Sequence, residues 1–154
     1  MRAVIQRVDK ADVSTNGDEI SSINEGILLL LGVEKGDCRS DADYILDKAV
    51  NLRIFEDEQG KMNRSVLDIG GEMMVISQFT LLGDCRKGRR PSFVQAEEPN
   101  KANELYEYFL REGAAKVKKL ACGKFQAMMK VALVNNGPVT IFLDSRNCSL
   151  LKNG

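Results

Sequence analysis

The run GILLLLGV, residues 26–33, contains no polar side chain. It has the length of a strand and no alternation, so both of its faces are expected to be buried. Working outward, MRAVIQRVDKADVST at 1–15 is rich in β-branched residues and reads as another strand. Asn16 and Gly17 follow it, the favoured pair for a two-residue hairpin loop. Downstream, SDADYILDKAVNLR at 40–53 changes period. Ala42, Ile45, Leu46 and Ala49 fall on one helical face, and Ser40 is placed to cap it.

Further along, IFEDEQGKMN at 54–63 reads as strand, turn, strand. EMMVISQFTL at 72–81 is strand-like to about Ile76 and then turns polar. GDCRKGRRPSF at 83–93 reads as a loop carrying Arg86, Lys87, Arg89 and Arg90. NKANELYEYFLREGAAK at 100–116 is a second helix, with Ala102, Leu105 and Phe109 inward and Asn100 as its cap. KFQAMMKVALV at 124–134 alternates as a strand should. The bend NNGP would then join it to a last strand, VTIFLDS. Many strands and two main helices predict one α+β domain over 1–154, with largely antiparallel, barrel-like sheets.

The totals restrict the function. Lysine plus arginine number 22 and aspartate plus glutamate number 22, so the net charge is zero. This argues against coating nucleic acid by bulk charge and leaves room for a local basic patch. No apolar run approaches the ~18 residues of a membrane span. The N-terminus lacks the apolar block of a signal peptide, which points to the cytoplasm. The four cysteines, Cys38, Cys85, Cys122 and Cys148, form no CxxC pair and there is no histidine. This argues against a zinc site and for reduced structural thiols. It also removes histidine-based nucleophile activation. Neither a metal nor another cofactor is implied.

Three stretches interrupt the expected patterns. Ser77, Gln78, Phe79 and Thr80 put uncharged donors and acceptors at a strand end. The same residues would serve a strand end capped by local side-chain bonds. In VNNGPVT at 134–140, Gly137 before Pro138 permits close approach to the main chain and a fixed arrangement of two carbonyls. A plain turn between strands is the other reading. The basic loop, with help from Lys116, Lys118 and Lys119, is either a phosphate-contacting patch or a solvated surface.

SQFTL at 77–81 together with NNGPVT at 135–140 resembles the paired signature of the D-aminoacyl-tRNA deacylases. MRAVIQRV, GILLLLGV, RPSF at 90–93 and VALVNNGPVTIFLDS resemble that family in order and spacing, over essentially the full length. The resemblance implies hydrolysis of the ester joining a D-amino acid, or glycine mischarged on tRNA-Ala, to the 3′ end of tRNA. It implies a homodimer with active sites at the subunit interface. Ser77, Gln78, Phe79 and Thr80 would line the pocket for the aminoacylated terminal adenosine. Gly137 and Pro138 would form a cis peptide reaching into the partner's site, locked by Arg7, with Asn135 and Thr140 completing the motif. A sibling group that clears L-alanine usually opens its first motif with Pro-Gln. Ser77-Gln78 favours the D-selective group instead.

Without histidine, an acyl-enzyme on Ser77 or Thr80 has no base to form it. The expected mechanism positions an already activated ester, uses the ribose 2′-hydroxyl to assist water, and stabilises the oxyanion with backbone N–H groups near Phe79 and Thr80. The competing readings are a non-catalytic tRNA-binding module, a small esterase or amidase for free substrates, and a structural dimer whose Gly-Pro is only a turn.

Overall fold

In the computed structural model, which describes residues 1–147 apart from the side chains of residues 19 and 20, GILLLLGV supplies strand β3 (Gly26–Gly32). Cys148 lies outside the described residues. β3 pairs antiparallel with β1 (Arg2–Thr15), from Arg2 opposite Gly32 to Val8 opposite Gly26. Beyond that point β1 pairs with β2 (Asp18–Ile23) through the Asn16-Gly17 hairpin, where both residues have positive φ. On its other side β3 runs parallel to β6 (Glu72–Ser77), and β6 parallel to β7 (Leu120–Cys122). The Ser21 hydroxyl donates to the Cys122 carbonyl at 2.8 Å and draws β2 toward β7, so the sheet nearly closes on itself. The α+β, barrel-like reading holds. The sheet is mixed rather than uniformly antiparallel.

The apolar run is explained by two cores, one on each face of this sheet. Ile27, Leu29 and Leu31 of β3 and Met73 and Val75 of β6 face helices α1 (Arg39–Asn51) and α2 (Pro99–Ala114). Leu28, Met74 and Ile76 point the other way, against Val8, Val13 and Ile23 inside the curved sheet. A strand coated on both faces has no position for a polar residue. Ala42, Ile45, Leu46 and Ala49 form the buried face of α1, as the spacing predicts. Strands β4 (Phe55–Glu56) and β5 (Met62–Arg64) make the small expected hairpin.

Four local expectations are corrected. Ser40 lies inside α1. Cys38 is the N-cap, and its N–H donates to the Asp41 carboxylate at 2.9 Å. Asn100 is likewise within α2. Glu98 caps it by accepting from the N–H groups of Asn100 and Lys101, with Pro99 at the first helical position. Residues 124–129 are a turn, not strand, closed by the Ala127 N–H on the Lys124 carbonyl at 3.2 Å. Finally, NNGP does not separate two strands. β8 (Lys130–Asp144) runs through it as one strand and pairs with β1 on both sides of a bulge at 136–139. Among the described residues, no helix is long and apolar enough to cross a membrane.

Candidate functional site

β6 delivers Ser77 to the carboxyl end of the parallel strands. The Gln78 N–H donates to the Leu31 carbonyl at 2.8 Å, and the chain then winds into a single 3₁₀ turn, Phe79–Leu82. Gly32 makes this possible. A Cβ there would lie 2.6 Å from a methyl of Leu82 and 3.0 Å from the Gln78 carbonyl oxygen. The first hydrogen bond of the turn runs from the Leu81 N–H to the Gln78 carbonyl, so the N–H groups of Phe79 and Thr80 precede it and have no acceptor within the turn. The Gln78 amide donates to the Thr80 hydroxyl. Phe79 is 57% exposed and meets Phe93 edge-on at 5.1 Å.

These residues border a cavity of about 670 Å³. Val33 and Ile76 lie at the strand ends, and Ala96, Glu97, Pro99 and Ala102 form the wall leading into α2. Opposite them is the turn containing Phe125 to Met129, followed by Val131. Gly123 lets that turn fold inward, since a Cβ there would lie 2.4 Å from the Met129 sulfur. The volume suits a drug-sized ligand and the lining is mainly apolar. Among the described residues, Glu97 is the only ionisable one on it. The hydrogen bond from the Lys101 ammonium, at 2.8 Å, holds its carboxyl below the usual range, helped by the Glu98 N–H. Behind Phe125, the Tyr106 hydroxyl donates to the Val75 carbonyl at 2.9 Å, and burial pushes its ionisation upward.

The second motif is built by a bulge. Val8 pairs with Asn135 and Gln6 with Thr140, so Arg7 alone stands opposite residues 136–139. Arg7 is 6% exposed. Its guanidinium donates from Nε to the Asn136 carbonyl at 2.9 Å, from Nη2 to the Asn136 side chain at 3.3 Å, and from Nη1 to the Ile54 carbonyl at 2.7 Å. Asn136 in turn donates to Asp9 at 2.8 Å, and the Thr140 hydroxyl donates to Gln6 at 2.7 Å. Gly137 has φ +123°, and the Gly137–Pro138 peptide is cis. Asn135, Gly137, Pro138 and Thr140 are all exposed.

The structure therefore brings Ser77, Gln78, Phe79 and Thr80 together on one cavity, and Arg7 together with the backbone of the bulge. Within one chain the two groups do not meet. None of Arg7, Asn135, Gly137, Pro138 and Thr140 lines the large cavity. Arg7 and Asn136 border a separate hollow of about 270 Å³. Lys116, Lys118 and Lys119 do not join the basic loop. Leu120 pairs with Met73 at the start of β6, whereas the loop leaves from its end. Sequence reasoning missed Glu97, the 125–129 wall and Asn136. Only Asn136, inside the quoted NNGP, carried a signal that could have been followed.

A family profile described as D-Tyr-tRNA(Tyr) deacylase matches residues 4–144. The D-aminoacyl-tRNA deacylase of Syntrophus aciditrophicus (strain SB) is 62% identical over 146 residues, covering 95% of this chain and 98% of the relative. That of Natranaerobius thermophilus is 59% identical, covering 94% and 97%. Among solved structures, the c-Myc DNA unwinding element binding protein superposes with a TM-score of 0.89 at 40% identity, over 94% of this chain and 98% of that one. A probable eukaryotic D-amino acid tRNA deacylase, at 14% identity and a TM-score of 0.80 over 92% and 97%, shares the fold.

Proposed function

The chain belongs to the D-Tyr-tRNA(Tyr) deacylase family, and on that premise we propose how it sorts and cleaves its substrate. It is a hydrolase that removes D-amino acids from tRNA by cleaving the ester bond. In our reading the large cavity receives the aminoacylated terminal adenosine, with Ser77, Gln78, Phe79 and Thr80 around the ester. Water, assisted by the ribose 2′-hydroxyl, attacks the carbonyl carbon. The C–O bond to the 3′ oxygen breaks, and that oxygen leaves with a proton. The Phe79 and Thr80 N–H groups face the developing oxyanion, where each such donor typically contributes a few kcal/mol. Ser77 and Thr80 position the ester rather than attack it. Single-turnover rates of Thr80→Ala and Ser77→Ala should stay within about tenfold of the parent; abolition in either would restore a side-chain nucleophile.

One observation supports a second copy of the chain most directly. The bulge at 135–140 is exposed and held by Arg7, yet it lies outside the chain's own cavity. We infer a homodimer in which Gly137 and Pro138 of each protomer enter the cavity of the other. Asn135 and Thr140 hold the ends of the bulge. The Gly137–Pro138 carbonyls would receive the substrate's α-ammonium and leave no room for an L side chain. A D side chain points away, and glycine has none, so glycyl-tRNA is also a substrate. The single domain spans 1–154 and works with charged tRNA in the cytoplasm.

The test is deacylation of D-tyrosyl-, L-tyrosyl- and glycyl-tRNA side by side. D-tyrosyl- and glycyl-tRNA are expected to be cleaved, as are D-phenylalanyl- and D-aspartyl-tRNA. L-tyrosyl-tRNA is expected to survive. Equal loss of both tyrosyl forms would end the proposal of selection by crowding. Preferential cleavage of L-alanyl-tRNA would move the chain to the sibling group.

A further inference from the structure

We propose that the basic loop is a built finger that grips the phosphodiester backbone of the acceptor strand as it enters the cavity. This rests on the cavity being the aminoacyl-adenosine site. The finger is closed at its base by two backbone hydrogen bonds between Asp84 and Ser92, at 2.8 and 3.0 Å. It is fixed to the cavity rim on both sides. Upstream it continues directly from the 3₁₀ turn that carries Phe79 and Thr80. Downstream, Phe93 packs edge-on against Phe79 and close to Gly83, where an added Cβ would lie 3.0 Å from the ring.

The charges are sorted along it. Arg86 is spent on shape: its Nε and Nη2 donate to the Asp84 carboxylate at 2.9 and 2.7 Å. Gly88, at φ +70°, turns the tip. Lys87, Arg89 and Arg90 are exposed and form no ion pair among the described residues. In a chain of zero net charge, three uncompensated cations on a finger rooted beside the Phe79 rim of the cavity make a local anion-seeking surface. The finger extends at most roughly 3.3–3.6 Å per residue from its base. It therefore covers only the strand next to the cavity, which for a bound terminal adenosine is the single-stranded 3′ end. Cations tracking a backbone beside exposed aromatics are the usual means of holding such a strand.

The test compares the triple variant Lys87→Ala/Arg89→Ala/Arg90→Ala with a control of equal charge loss, Lys116→Ala/Lys118→Ala/Lys119→Ala. Two substrates are used: D-tyrosyl-tRNA, and D-tyrosyl-adenosine ester, which lacks phosphodiesters. For the finger variant on tRNA, KM should rise ten- to a hundredfold, in round terms, with kcat within about twofold. Each lost phosphate contact should flatten log(kcat/KM) against log[KCl] by about 0.7–0.9, or about 2–3 in all. On the adenosine ester the finger variant should match the parent, and the control should match it on both substrates. An unchanged KM and salt slope would overturn the proposal. So would an equal effect in the control, or a fall in kcat on both substrates. Failure of the underlying site assignment looks different: filling the cavity with Ala102→Phe would then leave both hydrolyses intact.

Discussion

Arg7 shows how one residue can hold a whole motif. Its guanidinium binds two backbone carbonyls and one amide from segments far apart in the chain. Removing it leaves the Asn136 and Ile54 carbonyls without their charged donor. Arg7→Ala should cost about 2–4 kcal/mol in urea unfolding and lower D-tyrosyl-tRNA deacylation about tenfold or more. Arg7→Lys should recover less than half of either loss, because one ammonium lacks the planar fork that reaches both carbonyls. Full activity in Arg7→Ala would mean that the bulge does not need its clamp. Gly137 is constrained from two sides: its φ is closed to most side chains, and a Cβ would lie 3.0 Å from Arg7 Nη2. At this scale the sequence was partly legible. Gly137 and Pro138 declare themselves by chemistry alone. Arg7 does not, because an arginine between Gln6 and Val8 in a strand looks like any surface position. Only the family resemblance singled it out.

Among the elements, the 3₁₀ turn depends on a residue that local reading passes over. Gly32→Ala must push the turn off β3, since the nearest obstacles include backbone as well as the Leu82 side chain. The expected cost is about 1–3 kcal/mol, with activity falling more than stability suggests because the Phe79 and Thr80 N–H groups move. Calorimetry paired with the deacylation assay separates these effects. In the finger, bonds from Arg86 draw the Asp84 carboxyl from 3.8 down to about 2. Its folded value is depressed, so the Asp84 contribution is fully present above the ordinary value. It fades only as pH falls from about 4 to 2. NMR should show Asp84 titrating near the lower end of that window; a midpoint near 4 would mean that the Arg86 pairing is absent in solution. Elements with strong periodicity were legible: both helices, the hairpin and the all-apolar strand. Their caps were not, because Cys38 and Glu98 do the work that the neighbouring Ser40 and Asn100 advertise. Residues 124–129 kept strand-like alternation while folding as a turn. Half-buried Phe125, Ala127 and Met129 line the cavity and, among the described residues, pair with no strand.

For the whole molecule, the proposed dimer puts weight on the outer side of β8. Phe142 is 56% exposed and Val134 42% exposed on a strand whose described pairing is with β1 alone. Phe142→Glu should shift sedimentation to the monomer and abolish D-tyrosyl-tRNA deacylation while far-UV dichroism is unchanged. An active monomer would refute completion of the site in trans. Burial also sets an alkaline limit. Tyr106 has its ionisation raised mainly by desolvation, so its contribution to stability is complete below the ordinary tyrosine range and declines as pH rises above it. Unfolding free energy should therefore begin to fall above about pH 10. Fold class was legible because strand and helix counts constrain layers. The parallel pairing of β3, β6 and β7 was not, because an apolar run specifies two covered faces but not the direction of its neighbour.

The seam between β1 and β8 has a consequence for synthesis. Arg2 pairs with Asp144 and Ser14 with Lys130, so one side of β1 waits for β8, a strand made much later in the chain. A ribosome adding roughly 5–20 residues per second leaves that edge bare for on the order of ten seconds. Newly made chains are thus open to edge-to-edge pairing on that side of β1 until β8 has emerged.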